Sequence, residues 1–273
     1  MAAMKAAIFG PKGFIGAHLS ARLEQDGWAV RRIARGDESW RGQDLGHVFF
    51  CVGLTADFRE RPLDAIDAHV SAAAAVLRYA RFESFLYLST TRVYSGAAEA
   101  VETARIAVDP TDPGDLYNLS KLAGEAACLA IPRPEVRIAR LSNVFGPDMG
   151  PQNFLGSIIQ AAAGGRLHLG QALESAKDYV AVEDVTTALT RIAHSGEARL
   201  YNVASGANVT HGELAEALSR LTGCEATVEP GAPVVGYPTI AKQRLSGLMD
   251  WAPESVLDRL PALLAAISAQ IPS

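Results

Sequence analysis

The chain has 273 residues, 49% hydrophobic and 20% charged, with a formal net charge of −5. A chain of this length buries about three quarters of the surface it exposes when unfolded, so one large domain, or one domain with an appendage, is the expectation, and disorder is excluded. Three widely spaced cysteines, Cys51, Cys128 and Cys224, exclude a disulfide scaffold, show no zinc-ligand spacing and suit a reducing compartment.

Lys5 to Phe9 reads as a buried strand stopped by Gly10, and Phe14 to Gln25 has helical spacing of Phe14, Ile15, Leu19 and Leu23. Ala29 to Ala34 and His47 to Val52 read as the second and third strands. An Ala-rich helix over Ala65 to Tyr79 and a strand over Phe85 to Leu88 follow. Tyr117 to Leu129 is a helix, Val136 to Leu141 a strand and Phe154 to Ala163 a helix. Further on, Val209 to Leu221 reads as a helix, and Val228 to Tyr237, rich in Pro and Gly, as a lid.

Strands alternating with helices predict a doubly wound parallel α/β sheet, a Rossmann fold, with a small C-terminal α/β substrate-binding part. The expected division is 1–150 for the dinucleotide domain, with 175–205 returning to it, and 151–174 plus 206–273 for the smaller part. Ligands of such sheets sit beyond the carboxyl ends of the strands, which points to Gly10, Gly53, Thr90 and Asn143. The apolar run from Ala2 to Phe9 is too short for a signal sequence, and no segment reaches the roughly 20 apolar residues of a membrane helix. The expectation is a cytoplasmic protein with no membrane partner. Without a long basic run, no nucleic-acid partner is expected either.

Gly10-Pro-Lys-Gly13-Phe14-Ile15-Gly16 lies between a strand and a helix. Gly10 allows the tight turn, Gly13 a close approach of a pyrophosphate, and Gly16 close helix packing, while the helix N-terminus offers amides to the anion. The second strand ends in Ala34-Arg35 where NAD sites usually carry an acid. Arg35 suits a 2′-phosphate and favours NADP(H), with NAD(H) as the alternative. The bland reading makes Arg31, Arg32 and Arg35 solvated charges, and Asp37 or Glu38 could serve the ribose of a longer strand.

Tyr117 and Lys121, four apart on one helix, share a face. A phenol ionises near pH 10, and a nearby ammonium favours its phenolate, which makes Tyr117 a general acid-base and lets Lys121 hold the nicotinamide ribose. Ser89, Thr90 and Thr91 put hydroxyls just after a central strand, where one can bond the substrate oxygen.

From the glycine loop, Leu88-Ser-Thr-Thr-Arg-Val-Tyr94, Tyr117 to Lys121 with Gly124-Glu125, Arg140-Leu-Ser-Asn143-Val-Phe-Gly146-Pro147, Lys177 to Asp184 and Tyr201 to Gly206, the chain resembles a known family. It is similar to the extended short-chain dehydrogenase/reductases, in the branch of NAD(P)-dependent nucleotide-sugar epimerases, dehydratases and ketoreductases. The resemblance implies Thr90, Tyr117 and Lys121 as the catalytic set and Val52, Gly53 and Leu54 as cofactor-lining. It implies Thr91 and Asn143 on the substrate, with Lys177 at the place of a diphosphate-binding arginine, assisted by Arg166 or Arg244. His69 stands where an asparagine is common, and Ser95 interrupts the usual Tyr-Gly.

Dehydratases of the family resemble one another in an Asp-Glu pair after the catalytic threonine. Thr91 and Arg92 occupy those places here, so dehydration is disfavoured. The resemblance leaves reduction of a keto-sugar by NADPH, which the second-strand arginine favours, or epimerisation with tightly held NAD. A non-catalytic dinucleotide-binding regulatory protein is the reading from another class. Scattered His168, His194 and His211 imply no metal. A homodimer through the Ser71 to Tyr79 run and the Tyr117 to Leu129 helix is the family-like assembly. The chain is a compact version, shortened between the second strand and His47 and in the substrate part.

Overall fold

The structure, a computed structural model, describes residues 3–54 and 58–270. Strand β1 (Lys5–Phe9) leads through α1 (Phe14–Gln25) to β2 (Ala29–Ile33), which pairs parallel to β1. The chain then crosses to the other side of β1 and forms β3 (His47–Phe50), also parallel. The winding therefore reverses between β1 and β3, and a crevice opens at their carboxyl ends. No strand forms between β2 and His47, so β2 is the sheet edge.

Helices α2 (Pro62–Ile66) and α3 (Ala72–Tyr79) are joined by a π-helical turn over Asp67–Ser71, and β4 (Ser84–Thr90) follows. Next come α4 (Leu116–Ala130), β5 (Val136–Leu141) and β6 (Asn143–Phe145). After α5 (Phe154–Ala163), β7 (Arg166–Leu169), β8 (Ala176–Ala181) and α6 (Val182–Ser195), the chain returns to the large sheet as β9 (Leu200–Val203). The six strands run parallel in the order β2-β1-β3-β4-β5-β9. This is the doubly wound α/β architecture expected from the alternation of elements.

Residues alternate between two apolar layers because strand side chains point to opposite faces. Ile8, Phe49, Leu86 and Leu141 join the layer with α1 and α6, while Phe9, Val48, Phe85 and Ile138 join the layer with α3. Both faces are covered, so β4 reads as a continuous apolar run. Truncating one such buried side chain to alanine costs about 2–5 kcal/mol.

The C-terminal part adds β10 (Asn208–Thr210), α7 (His211–Thr222), β11 (Glu225–Val228), α8 (Gln243–Leu248) and α9 (Val256–Ser268). Helices α5, α7 and α9 share an apolar cluster with Phe145, Leu169 and Tyr179. The helix expected from Val209 starts at His211 instead, because Thr210 caps it in a reciprocal box with Glu213 and the preceding residues pair with β8. Residues 229–237 are strapped to the turn before β8: the Ala172 and Ala176 amides donate to Pro233 and Val235 carbonyls, each at 3.0 Å. No helix among the described residues is long and apolar enough to cross a membrane.

Candidate active site

The loop after β1 separates two reasons for glycine. At Gly10 φ is +80°, and a Cβ would lie 2.9 Å from the Cys51 carbonyl oxygen; at Gly16 it would lie 2.2 Å from that of Gly10. Both are glycines because the backbone packs tightly there. A Cβ at Gly13 meets only the Gly10 oxygen, at 3.5 Å, an ordinary contact. The fold does not require that glycine, so the surface over it is free for a ligand to approach closely. Gly13 gives α1 no side-chain cap, which leaves the first-turn amides of Phe14, Ile15 and Gly16 for an anion. The loop therefore fits the pyrophosphate of a dinucleotide.

At the end of β2, two of the three arginines are engaged. Arg31 donates to Ser39 at 2.6 Å, and Arg32 grips Glu24 at 2.5 and 2.8 Å. Arg35 is exposed and has no ion-pair partner among the described residues. Asp37 accepts the Ser39 amide and hydroxyl, and Glu38 pairs with Arg41.

Thr90 ends β4, and Tyr117 and Lys121 project from the first turns of α4 behind it. Tyr117 is buried, and burial pushes its phenol up to about 12, opposed by the Arg92 charge and the Thr90 hydroxyl. Thr90 Oγ1 accepts the Arg92 amide at 3.1 Å, leaving its own proton to donate. Lys121 Nζ, also buried, donates to the Leu88 carbonyl at 3.0 Å and lies 5.3 Å from the Tyr87 ring centroid. Burial pulls it down to about 8 against the pull of Glu125. The Arg92 guanidinium lies 5.5 Å from the Tyr117 ring centroid.

Val52, Gly53 and Leu54 follow β3 and reach this cluster: a Cβ on Gly53 would lie 3.5 Å from Lys121 Nζ. The Leu54 amide donates to Nε2 of His69, whose Nδ1 is 2.7 Å from Ser120 Oγ; that hydroxyl donates to the Tyr117 carbonyl. The π turn that carries His69 offers its carbonyl to the Tyr87 hydroxyl at 3.0 Å. None of these three ties of His69 was visible in sequence, because partners 15, 18 and 51 positions away follow no helical or strand period.

Beneath α4, Arg140 grips Glu125 through two bonds of 2.9 and 2.6 Å and donates to the Tyr94 hydroxyl at 2.8 Å. Tyr94 in turn donates to Asn202. The motif residues Glu125, Tyr94, Arg140 and Asn202 thus form one buried frame that fixes α4 against β4, β5 and β9.

On the substrate side, Asn143 donates to the Asp178 carbonyl at 2.8 Å and ties β6 to β8. Lys177 Nζ sits 4.1 Å from the Phe154 ring centroid, and His211, stacked on the same ring at 4.4 Å, is buried with neither nitrogen partnered among the described residues. Burial and Arg92 hold the Lys177 ammonium below its ordinary range. Thr91 is buried in the turn after β4. Arg166 is exposed at the start of β7. Arg244 is not brought to this cluster. Its guanidinium donates to the Leu200 carbonyl at 2.9 Å, at the opposite end of β9 from the strand carboxyl ends, and faces Glu102. No group of three or more His, Cys, Asp or Glu among the described residues could hold a metal ion.

The model of the NAD dependent epimerase/dehydratase family matches residues 6–204. The chain belongs to that family. It is 28% identical over 246 residues to the GDP-6-deoxy-D-mannose reductase of Pseudomonas aeruginosa, covering 80% of each chain. It is 28% identical to the dTDP-4-dehydrorhamnose reductase of Mycobacterium tuberculosis, over 69% of this chain and 66% of that one. Among solved structures, RMD from Pseudomonas aeruginosa complexed with NADPH superposes with a TM-score of 0.78 at 23% identity, covering 98% of this chain and 100% of that one. Members of the family are NAD(P)-dependent enzymes of nucleotide sugars.

Proposed function

We propose that this protein reduces a keto group on a nucleotide-linked sugar, with NADPH as the donor. The observation that carries the reading is the buried Tyr117 phenol beside Thr90, at the carboxyl end of β4. Burial keeps the phenol protonated at neutral pH, which is the state a general acid needs. A reduced nicotinamide supplies hydride when bound on the loop. Thr90 donates a hydrogen bond to the substrate oxygen, and Tyr117 delivers the proton that this oxygen takes as it becomes an alcohol. Lys121 holds the ribose side and Val52, Gly53 and Leu54 line the cofactor. Asn143, Lys177 and Thr91 hold the nucleotide sugar.

Support for NADPH comes from Arg35, the arginine of the β2 end with no ion-pair partner among the described residues. Thr91 and Arg92 leave no acid-base pair for eliminating water. The reductase relatives point the same way. Two copies would pair through the outer faces of α3 and α4, where Tyr79 and Leu129 are exposed.

The test is twofold. Mass spectrometry of the purified protein reads which dinucleotide it carries, and NADPH oxidation is followed with a panel of nucleotide-linked keto-sugars. Turnover that falls at least 100-fold in Tyr117→Phe while NADPH binding persists supports the reading. Tightly retained NAD with interconversion of two sugar epimers would replace it with epimerisation.

A further inference from the structure

Arg92 stands where a dehydratase would carry an acid, and the structure gives it a specific place. Its Cζ lies 5.5 Å from the Tyr117 ring centroid and 5.5 Å from that of Phe58. One terminal nitrogen reaches the Gly114 carbonyl at 3.4 Å, and its amide is bonded to Thr90 Oγ1. No acidic side chain among the described residues pairs with it. Lys121, four residues further along α4, is turned to the Leu88 carbonyl and the Tyr87 ring.

We propose that Arg92 is the positioning residue that sets the acidity of Tyr117, stabilising the phenolate through its charge while fixing Thr90 through its backbone amide. The inference rests on Tyr117 being the acid-base group of the proposed reaction.

The groups facing Tyr117 leave few other sources of charge. His69, edge-on at 5.4 Å from the π turn, is held neutral by burial, its value pushed down to about 3. Arg59 lies over Phe58 at 4.7 Å. Asp115, two residues before Tyr117, spends its carboxylate on Asn118 and the Asp109 amide. Tyr87 and Thr90 from β4 are uncharged, and Lys177 from β8 sits over the Phe154 ring, 4.1 Å from its centroid. A guanidinium keeps its proton at any pH at which the protein folds. Lys121, drawn down to about 8, loses its charge well below the range in which a phenol held at about 12 ionises. A half-buried opposite charge at about 5 Å lowers an ionisation midpoint by about one pH unit.

The test needs no substrate. A fluorinated tyrosine whose phenol ionises near neutrality replaces Tyr117 in the full chain, and its phenolate absorbance is titrated. Arg92→Gln raises the midpoint by about one pH unit, Arg92→Met does the same, and Arg92→Lys stays near the parent value. Lys121→Met moves it less than Arg92→Gln. Near-UV circular dichroism and thermal unfolding confirm the fold of each variant. An unchanged midpoint in folded Arg92→Gln or Arg92→Met, or a larger change in Lys121→Met, overturns the proposal. Because no turnover is read, a wrong choice of substrate or of reaction leaves this result intact.

Discussion

Nε2 of His69 accepts the Leu54 amide at 3.0 Å, and through His69 the loop after β3 is tied to α4. The acceptor role fixes the tautomer: Nε2 carries no proton, so Nδ1 does, and it donates to Ser120 Oγ, which donates to the Tyr117 carbonyl. Leu54, His69, Ser120 and Tyr117 are therefore one relay of hydrogen bonds.

Protonating His69 would break that relay inside a fully buried site. Its folded value is pushed down to about 3 by burial and then by Lys121, against about 6.5 in the unfolded chain. The unfolded state therefore binds the proton first. Stability is complete above pH 6.5 and falls as the pH drops toward 3, by up to about 1.4 kcal/mol per pH unit. His211, pushed down to about 4, adds to the slope. His69→Asn can still accept the Leu54 amide but has no proton to gain. Urea unfolding at pH 7.5, 6.0 and 5.0 should show a shallower pH dependence in the variant, and equal slopes would refute the linkage.

Gly13→Ala and Gly16→Ala should part company. At Gly13 the backbone is extended and a Cβ fits, so fold stability changes by about 1 kcal/mol or less, the poorer helix cap offsetting the lost chain entropy. NADPH binding is lost because the methyl occupies the approach to the pyrophosphate. At Gly16 the Cβ is driven into the Gly10 carbonyl, and overpacking costs about 1–3 kcal/mol or more. Thermal unfolding together with NADPH fluorescence titration checks both; tight NADPH binding by folded Gly13→Ala would exclude the loop as the pyrophosphate site.

The strand-turn-helix around Gly10 was legible because its signals are local: an apolar run, three glycines and a 3.6-residue period within about 25 residues. The same holds for β4 with Thr90 and for Tyr117 and Lys121 on α4. What was not legible is where a long side chain turns. Lys121 follows a carbonyl of β4, Arg244 follows Leu200, and Arg92 fills the space beside Tyr117. Such choices depend on partners brought together by the sheet order. The short strands β6, β7, β10 and β11 were missed for a related reason: three or four residues give too little alternation to read, and their pairing defines them.

Arg35 allows a test of cofactor preference. If it holds the 2′-phosphate, Arg35→Ser removes a charge-assisted contact worth about 1.5–3 kcal/mol, and NADPH affinity falls roughly 10- to 100-fold. NADH affinity stays where it was, because Arg31 and Arg32 keep their partners Ser39 and Glu24. The preference should also weaken with salt, since the contact is exposed. Competition titrations of NADPH against NADH at low and high salt decide it; equal losses for both cofactors would show that Arg35 does not read the phosphate.

Glu125 and Arg140 are both nearly inaccessible, with side chains 4% and 5% exposed. Removing either partner strands a buried charge. Glu125→Leu should cost about 3–5 kcal/mol. It should also disturb Ser89, which donates to the same carboxylate, and so loosen the end of β4 that carries Thr90. Arg140→Met alone leaves Glu125 uncompensated and frees the Tyr94 hydroxyl, at a similar cost. The double variant Glu125→Leu with Arg140→Met removes both charges at once, and a large part of the stability should return, because an apolar pair of like volume often replaces a buried ion pair at little net cost. A double-mutant cycle by chemical denaturation measures this directly. Additive losses would show that the two charges do not act as a pair. Recovery of stability without recovery of turnover would show that the pair serves to hold α4, and with it Tyr117, at the right distance from Thr90.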